Sequence, residues 1–127
     1  MRPSGWDGER PRKADLKLVG RVPRERLAGD AMVRLAWPPF DVLVSMVDGV
    51  PYAIEAACNH AGANLEEGER RGSCVICPMH GYRFDLTSGR LVQPLGLCDD
   101  QRCFVARIVG DEIVVWDPGA AITIVPP

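Results

Sequence analysis

The chain has 127 residues, enough for one domain with its own core and too few for two sizeable ones. It is 46% hydrophobic and 25% charged, with a formal charge of −2, which describes an ordinary globular protein and excludes a basic nucleic-acid footprint. Eleven prolines and thirteen glycines ask for many turns, as in a compact β fold.

Residues 1–13 mix Gly, Pro and Arg without an apolar period and read as a loose arm. Arg2, Asp7, Glu9, Arg10, Arg12 and Lys13 leave no room there for the apolar stretch of a secretory signal. No apolar run approaches the length of a membrane span. A cytoplasmic protein without membrane contact is therefore expected. Asp15 to Val19 begins a strand, Val22 to Leu27 is a short helical turn, and Gly29-Asp30 closes it. Ala31 to Ala36 and Asp41 to Val47 are strands joined through Trp37-Pro38-Pro39-Phe40. Asp48-Gly49 is a tight-turn signal before Val50 to Ala56, which together make a hairpin.

Two segments then dominate the sequence, Cys58-Asn59-His60 and Cys77-Pro78-Met79-His80-Gly81. They hold both histidines and two of the five cysteines, with sixteen residues between His60 and Cys77. Between them Leu65 to Arg71 reads as a charged turn and Ser73 to Ile76 as a strand. Beyond them come a short strand from Tyr82 to Asp85, a turn at Thr87-Ser88-Gly89 and a loop at Gln93 to Gly96. A closing hairpin follows, Cys103 to Val109 and Glu112 to Trp116, with its turn at Gly110-Asp111. No helix of normal length is expected, and the architecture is antiparallel all-β.

One thiolate and one imidazole from each of two loops is a metal constellation. Two metals suit it. Structural zinc accepts two Cys and two His, although zinc modules more often pair C-x₂₋₄-C with H-x₃₋₅-H. A two-iron cluster can take both sulfurs on one iron and both nitrogens on the other. Two thiolates leave the oxidised cluster formally neutral and the reduced one singly negative, so an electron enters more readily than with four thiolates.

The two segments resemble the ligand loops of the Rieske family of [2Fe–2S] proteins. Leu65, Gly68, Gly72, Phe84-Asp85 and Gly89 fall where that fold places turns and short strands, and the resemblance covers roughly residues 15 to 117. It implies a β-sandwich or barrel at 14–117, with a cluster-binding subdomain inserted at about 57–96 and a tail at 118–127. It implies one [2Fe–2S] cluster on Cys58, His60, Cys77 and His80. Around the ligands, Gly62 and Gly81 would either let backbone N–H groups approach the sulfurs or serve as plain turn glycines, and Pro78 would stiffen its loop. A loop containing Pro94 would cover the cluster. The respiratory branch ties its loops with a disulfide where this chain has Ala63 and Met79, and places a serine where it has Tyr82. Those departures imply a potential low in the Rieske range of roughly −150 to +300 mV.

Among the branches, the chain is most similar to the soluble ferredoxins of bacterial aromatic-ring dioxygenase systems. That implies a monomer carrying single electrons from a flavin-dependent ferredoxin reductase to a terminal Rieske oxygenase, leaving through the exposed imidazoles. A small Rieske subunit of a larger reductase, such as a nitrite reductase, is the alternative. Catalysis is not expected, because an oxygenase needs a further iron on two His and a carboxylate, and both histidines are already assigned. Glu66, Glu67, Glu69, Asp99 and Asp100 form either an acidic docking rim or a plain solvated face. Cys74 is expected in the core. Cys98 and Cys103 are expected as free thiols that could meet across a hairpin.

Overall fold

The computed structural model describes residues 16–39, 41–58, 62–79, 81–93 and 100–119. These form ten antiparallel strands in two sheets, as expected from the sequence, with two short 3-10 turns and no α-helix among the described residues. The larger sheet has the order β1 (Lys17–Pro23), β10 (Glu112–Asp117), β9 (Cys103–Val109), β4 (Val50–Glu55), β3 (Val42–Val47), β2 (Met32–Leu35). The smaller sheet runs β5 (Glu69–Arg71), β6 (Cys74–Ile76), β7 (Arg83–Asp85), β8 (Leu91–Gln93).

The β3–β4 hairpin follows directly from its turn. Asp48 and Gly49 both take positive φ, 51° and 80°, the conformation a two-residue hairpin loop needs, and Val47 pairs with Val50. Strand β3 is apolar at consecutive positions because both its faces are covered. Val42 and Val44 enter one core while Leu43 enters another.

The first core gathers Val22, Leu27, Val33, Val42, Val44, Ala53, Phe104, Ile113 and Val115. Because β1, β2, β3, β4, β9 and β10 all contribute, the larger sheet must curl around it. The curl brings its two edges together: a Cβ on Gly20 of β1 would lie 3.5 Å from Leu35 Cδ1 of β2. Trp37 Nε1 and Arg102 Nη2 donate to the two oxygens of Asp117 (2.8 and 2.6 Å), tying the β2–β3 connection to the end of β10. Burial alone would raise the Asp117 pKa, but Trp37, the Gly119 amide and Arg102 outweigh it and hold it below the usual value.

The second core lies under the smaller sheet and contains Leu43, Ile54, Ala56, Cys58, Leu65, Val75, Cys77, Phe84, Leu86 and Leu91. It is this core that positions the two ligand loops.

Several elements differ from expectation. Val22-Pro23 belongs to β1, and the helical turn begins only at Arg24. Glu69–Arg71, expected as a charged turn, is strand β5. Its pairing to β6 is helped by Arg70, whose side chain is only 6% exposed and reaches Ser45 Oγ (2.7 Å) and Met46 O (3.1 Å) across the core. Strand β8 was not anticipated, since only Leu91 of its three residues is buried and no alternation announces it. Cys74, expected in the core, is only half-buried on β6.

Candidate metal centre

Cys58 comes just after β4 and Cys77 just after β6, and both enter loops with one backbone frame. In the first, the Cys58 amide donates to Ala63 O (2.8 Å) and the Gly62 amide donates to Cys58 O (2.6 Å). In the second, the Cys77 amide donates to Tyr82 O (2.8 Å) and the Gly81 amide donates to Cys77 O (3.0 Å). The spacing is the same in each, Cys to Gly at four residues and Cys to the closing carbonyl at five. Gly62 and Gly81 have φ of 73° and 74°, a conformation that side chains other than glycine's rarely tolerate. Their amides are thus committed to the cysteine carbonyls, and the glycines serve the turn itself.

Both cysteines are buried, Cys58 at 0% and Cys77 at 1% exposure, in the same apolar cluster. Ala63 and Tyr82, the closing residues of the loops, pack against that cluster. Gly62, Pro78, Met79 and Gly81 are instead exposed. Among the described loop residues, the cysteine of each loop is thus rooted in the interior and the glycine lies at the surface. His60, His80, Pro94 and Cys98 lie outside the described residues. Two thiols brought over one apolar floor by equivalent loops suit the sulfur ligands of a cluster. Thiolate is the ligand that iron–sulfur clusters take, and an apolar floor limits water access to it.

The first loop has a support that sequence reasoning missed. Arg34 on β2 donates from Nε and Nη2 to Asp41 Oδ2 (3.0 and 2.7 Å). Its Nη1 reaches Glu66 Oε1 (3.1 Å) and Asn64 Oδ1. Asn64 bridges Ala57, the residue before Cys58, so the guanidinium braces the base of the loop. The Asp41 carboxyl is held below its ordinary pKa by the Trp37 amide and then by Arg34, and Arg34 is raised in turn by Asp41 and Glu66. These partners are 7, 30 and 32 residues from Arg34, and no local pattern marks them.

The acidic residues expected as a docking rim or a plain solvated face are largely engaged nearby. Glu66 binds Arg34, Glu67 accepts from Asn64, Glu69 pairs with Arg71, and Asp100 accepts the Leu91 amide. Asp99 lies outside the described residues. Cys103 keeps a free thiol that donates to Ser88 O (2.9 Å), and burial, then Asp100 and Asp85, push its pKa up to about 11.

Comparison with known proteins agrees with this geometry. A family model for the Rieske [2Fe-2S] domain matches residues 19–96. The ferredoxin component of biphenyl 2,3-dioxygenase from Rhodococcus jostii (strain RHA1) is 32% identical over 97 residues, covering 76% of this chain and 90% of that protein. Among solved structures, the ferredoxin of carbazole 1,9a-dioxygenase from Nocardioides aromaticivorans IC177 superposes with a TM-score of 0.71. It is 27% identical, over 81% of this chain and 99% of the other. A nitrite reductase small subunit from Mycobacterium tuberculosis shares the fold at 18% identity and a TM-score of 0.63, over 76% of this chain and 94% of its own. These matches set structural zinc aside. The chain belongs to the Rieske [2Fe-2S] family, with a single two-iron cluster and the role of an electron carrier.

Proposed function

We propose that this chain takes single electrons from a flavin-dependent reductase, delivers them to a terminal Rieske oxygenase, and transforms no substrate itself. What carries the reading is the extent of the match to a dioxygenase ferredoxin component, 90% of whose length is covered. Nitrite reductase small subunits are similar in fold alone, so a diffusing carrier is preferred to a permanent subunit.

Cys58 and Cys77 would hold one iron of the cluster, and His60 and His80 the other. When bound, the cluster supplies a centre that accepts and returns one electron. The chain supplies the rest. Residues 14–117 form the carrier, and about 57–96 its cluster-binding part. The buried cysteines fix the inner side of the site, while the exposed loop residues Pro78 and Met79 leave its outer side open to a partner. Tyr82 and Ala63 replace groups that raise the potential in respiratory relatives, which favours a donor of modest potential.

A redox titration followed by visible absorption and EPR tests the reading. The expected result is a reduced spectrum with mean g of about 1.9 and a midpoint in the lower half of the roughly −150 to +300 mV range. C77S should abolish the signal. A midpoint in the upper half, or a cluster retained in C77S, would overturn the assignment.

A further inference from the structure

Gln101 is polar yet only 4% exposed. It stands two residues before β9 and touches both halves of the fold. Its backbone amide donates to Gly89 O (2.7 Å), in the β7–β8 turn of the smaller sheet. Its side-chain Nε2 donates to Glu55 O (3.0 Å) and Ala57 O (2.6 Å). Those carbonyls belong to the last residue of β4 and to the residue before Cys58. A primary amide carries two N–H donors, and here both hold the short bend that leads into the first ligand loop.

The surrounding contacts make this a joint between the sheets. Glu55 and Arg102 exchange backbone and side-chain bonds (Glu55 N to Arg102 O, 2.8 Å; Arg102 N to Glu55 Oε1, 3.1 Å). Cys103 Sγ donates to Ser88 O on the other side. Gly89 has φ of +75°, and a Cβ there would stand 2.4 Å from Gln101 O and 2.9 Å from Cys103 Sγ. The turn of the smaller sheet is thus pressed against Gln101 with no room for a side chain between.

We propose that Gln101 is a positioning residue for the cluster: it locks the root of the Cys58 loop to the sheet bearing the Cys77 loop, fixing one loop relative to the other. This rests on Cys58 and Cys77 being ligands. A methionine at 101 matches the length of glutamine and donates nothing, so Glu55 O and Ala57 O lose their partner and the loop root is released.

The test compares holo-protein of wild type, Q101M and V115A. Val115 lies in the other core, and V115A serves as a variant destabilised away from the site. Each is reduced for EPR, titrated for its midpoint, and followed for cluster loss to a chelator under conditions giving equal distance below its melting temperature. Q101M should broaden and shift the EPR g values and lose its cluster about 10–100-fold faster than V115A, as removal of an outer partner of a metal site does. An unchanged spectrum with a release rate equal to that of V115A would overturn the proposal. Should Q101M fail to fold, Q101N decides, since it keeps both donors but withdraws them by about one C–C bond, ~1.5 Å. It should shift the spectrum in the same direction by less, and a wild-type spectrum and release rate in Q101N would be fatal. A wild type lacking the histidine-ligated signal overturns the ligand reading, and this proposal with it.

Discussion

Replacing Arg34 with methionine keeps most of the side-chain length and removes the charge that braces the first ligand loop. Two carboxylates lose their partner, Asp41 at 2.7 Å and Glu66 at 3.1 Å. A hydrogen bond to a charged group contributes about 1.5–3 kcal/mol when buried, whereas exposed ion pairs contribute about 0.2–1 kcal/mol. Here the side chains are 31%, 25% and 32% exposed, so solvent screens them substantially. Roughly 1 kcal/mol per pair follows, and R34M should lose about 2 kcal/mol. At constant slope that lowers the urea midpoint by about 1 M. The pH dependence adds a second check. The folded-state pKa of Asp41 lies below the ordinary carboxylate value of 3.8, so its contribution is complete above that value and is lost as pH falls through the folded pKa. The Trp37 amide, the first cause of that lowering, survives in R34M, so the gap between wild type and R34M should be steady above about pH 5 and narrow in acid only by the share that Arg34 supplies. Urea titrations followed by far-UV circular dichroism at pH 7, 5 and 3.5 measure it. A gap under about 0.5 kcal/mol at pH 7, or one that does not narrow in acid, would refute this account of the brace.

Three further outcomes follow from particular contacts. A Cβ on Gly68 would lie 1.9 Å from Ile76 O, a backbone atom next to Cys77, so G68A should cost about 3 kcal/mol and reduce cluster content; melting within about 3 °C of wild type would contradict the contact. With its pKa raised from 9.0 to about 11, Cys103 should alkylate ~100-fold more slowly at pH 8 than an ordinary thiol, as read by peptide mapping. The same shift favours the folded state below about pH 9, an advantage that fades as pH rises toward 11; labelling of Cys103 as fast as a small-molecule thiol would count against its burial. H60C or H80C should leave a cluster, where one survives, with a midpoint displaced toward the roughly −400 mV of all-cysteine ferredoxins, and an unchanged midpoint would remove that histidine from the ligand set.

What the sequence revealed depended on the range of each interaction. The Asp48-Gly49 hairpin and the two cysteine loops were legible because each is written in consecutive residues. The closing β9–β10 hairpin was legible too, through the turn at Gly110-Asp111 between two apolar stretches. Strand β5 was not, because Glu69-Arg70-Arg71 has the composition of a turn, and Arg70 finds its buried partners 24 and 25 residues away. The roles of Arg34 and Gln101 were equally hidden, the latter reaching across 44 and 46 residues. The glycine in each ligand loop was legible as well, and both take the left-handed φ that a turn asks of glycine.

The apolar floor beneath Cys58 and Cys77 also bears on how fast an electron can move. The side chains of Leu43, Ile54, Phe84, Leu86 and Leu91 carry no polar group that must turn when the charge beside them changes. The dipoles left to respond on this side are those of the backbone and of Arg34 and Gln101 at the root of the first loop. An apolar floor of this kind lowers the reorganisation that accompanies the transfer of one electron.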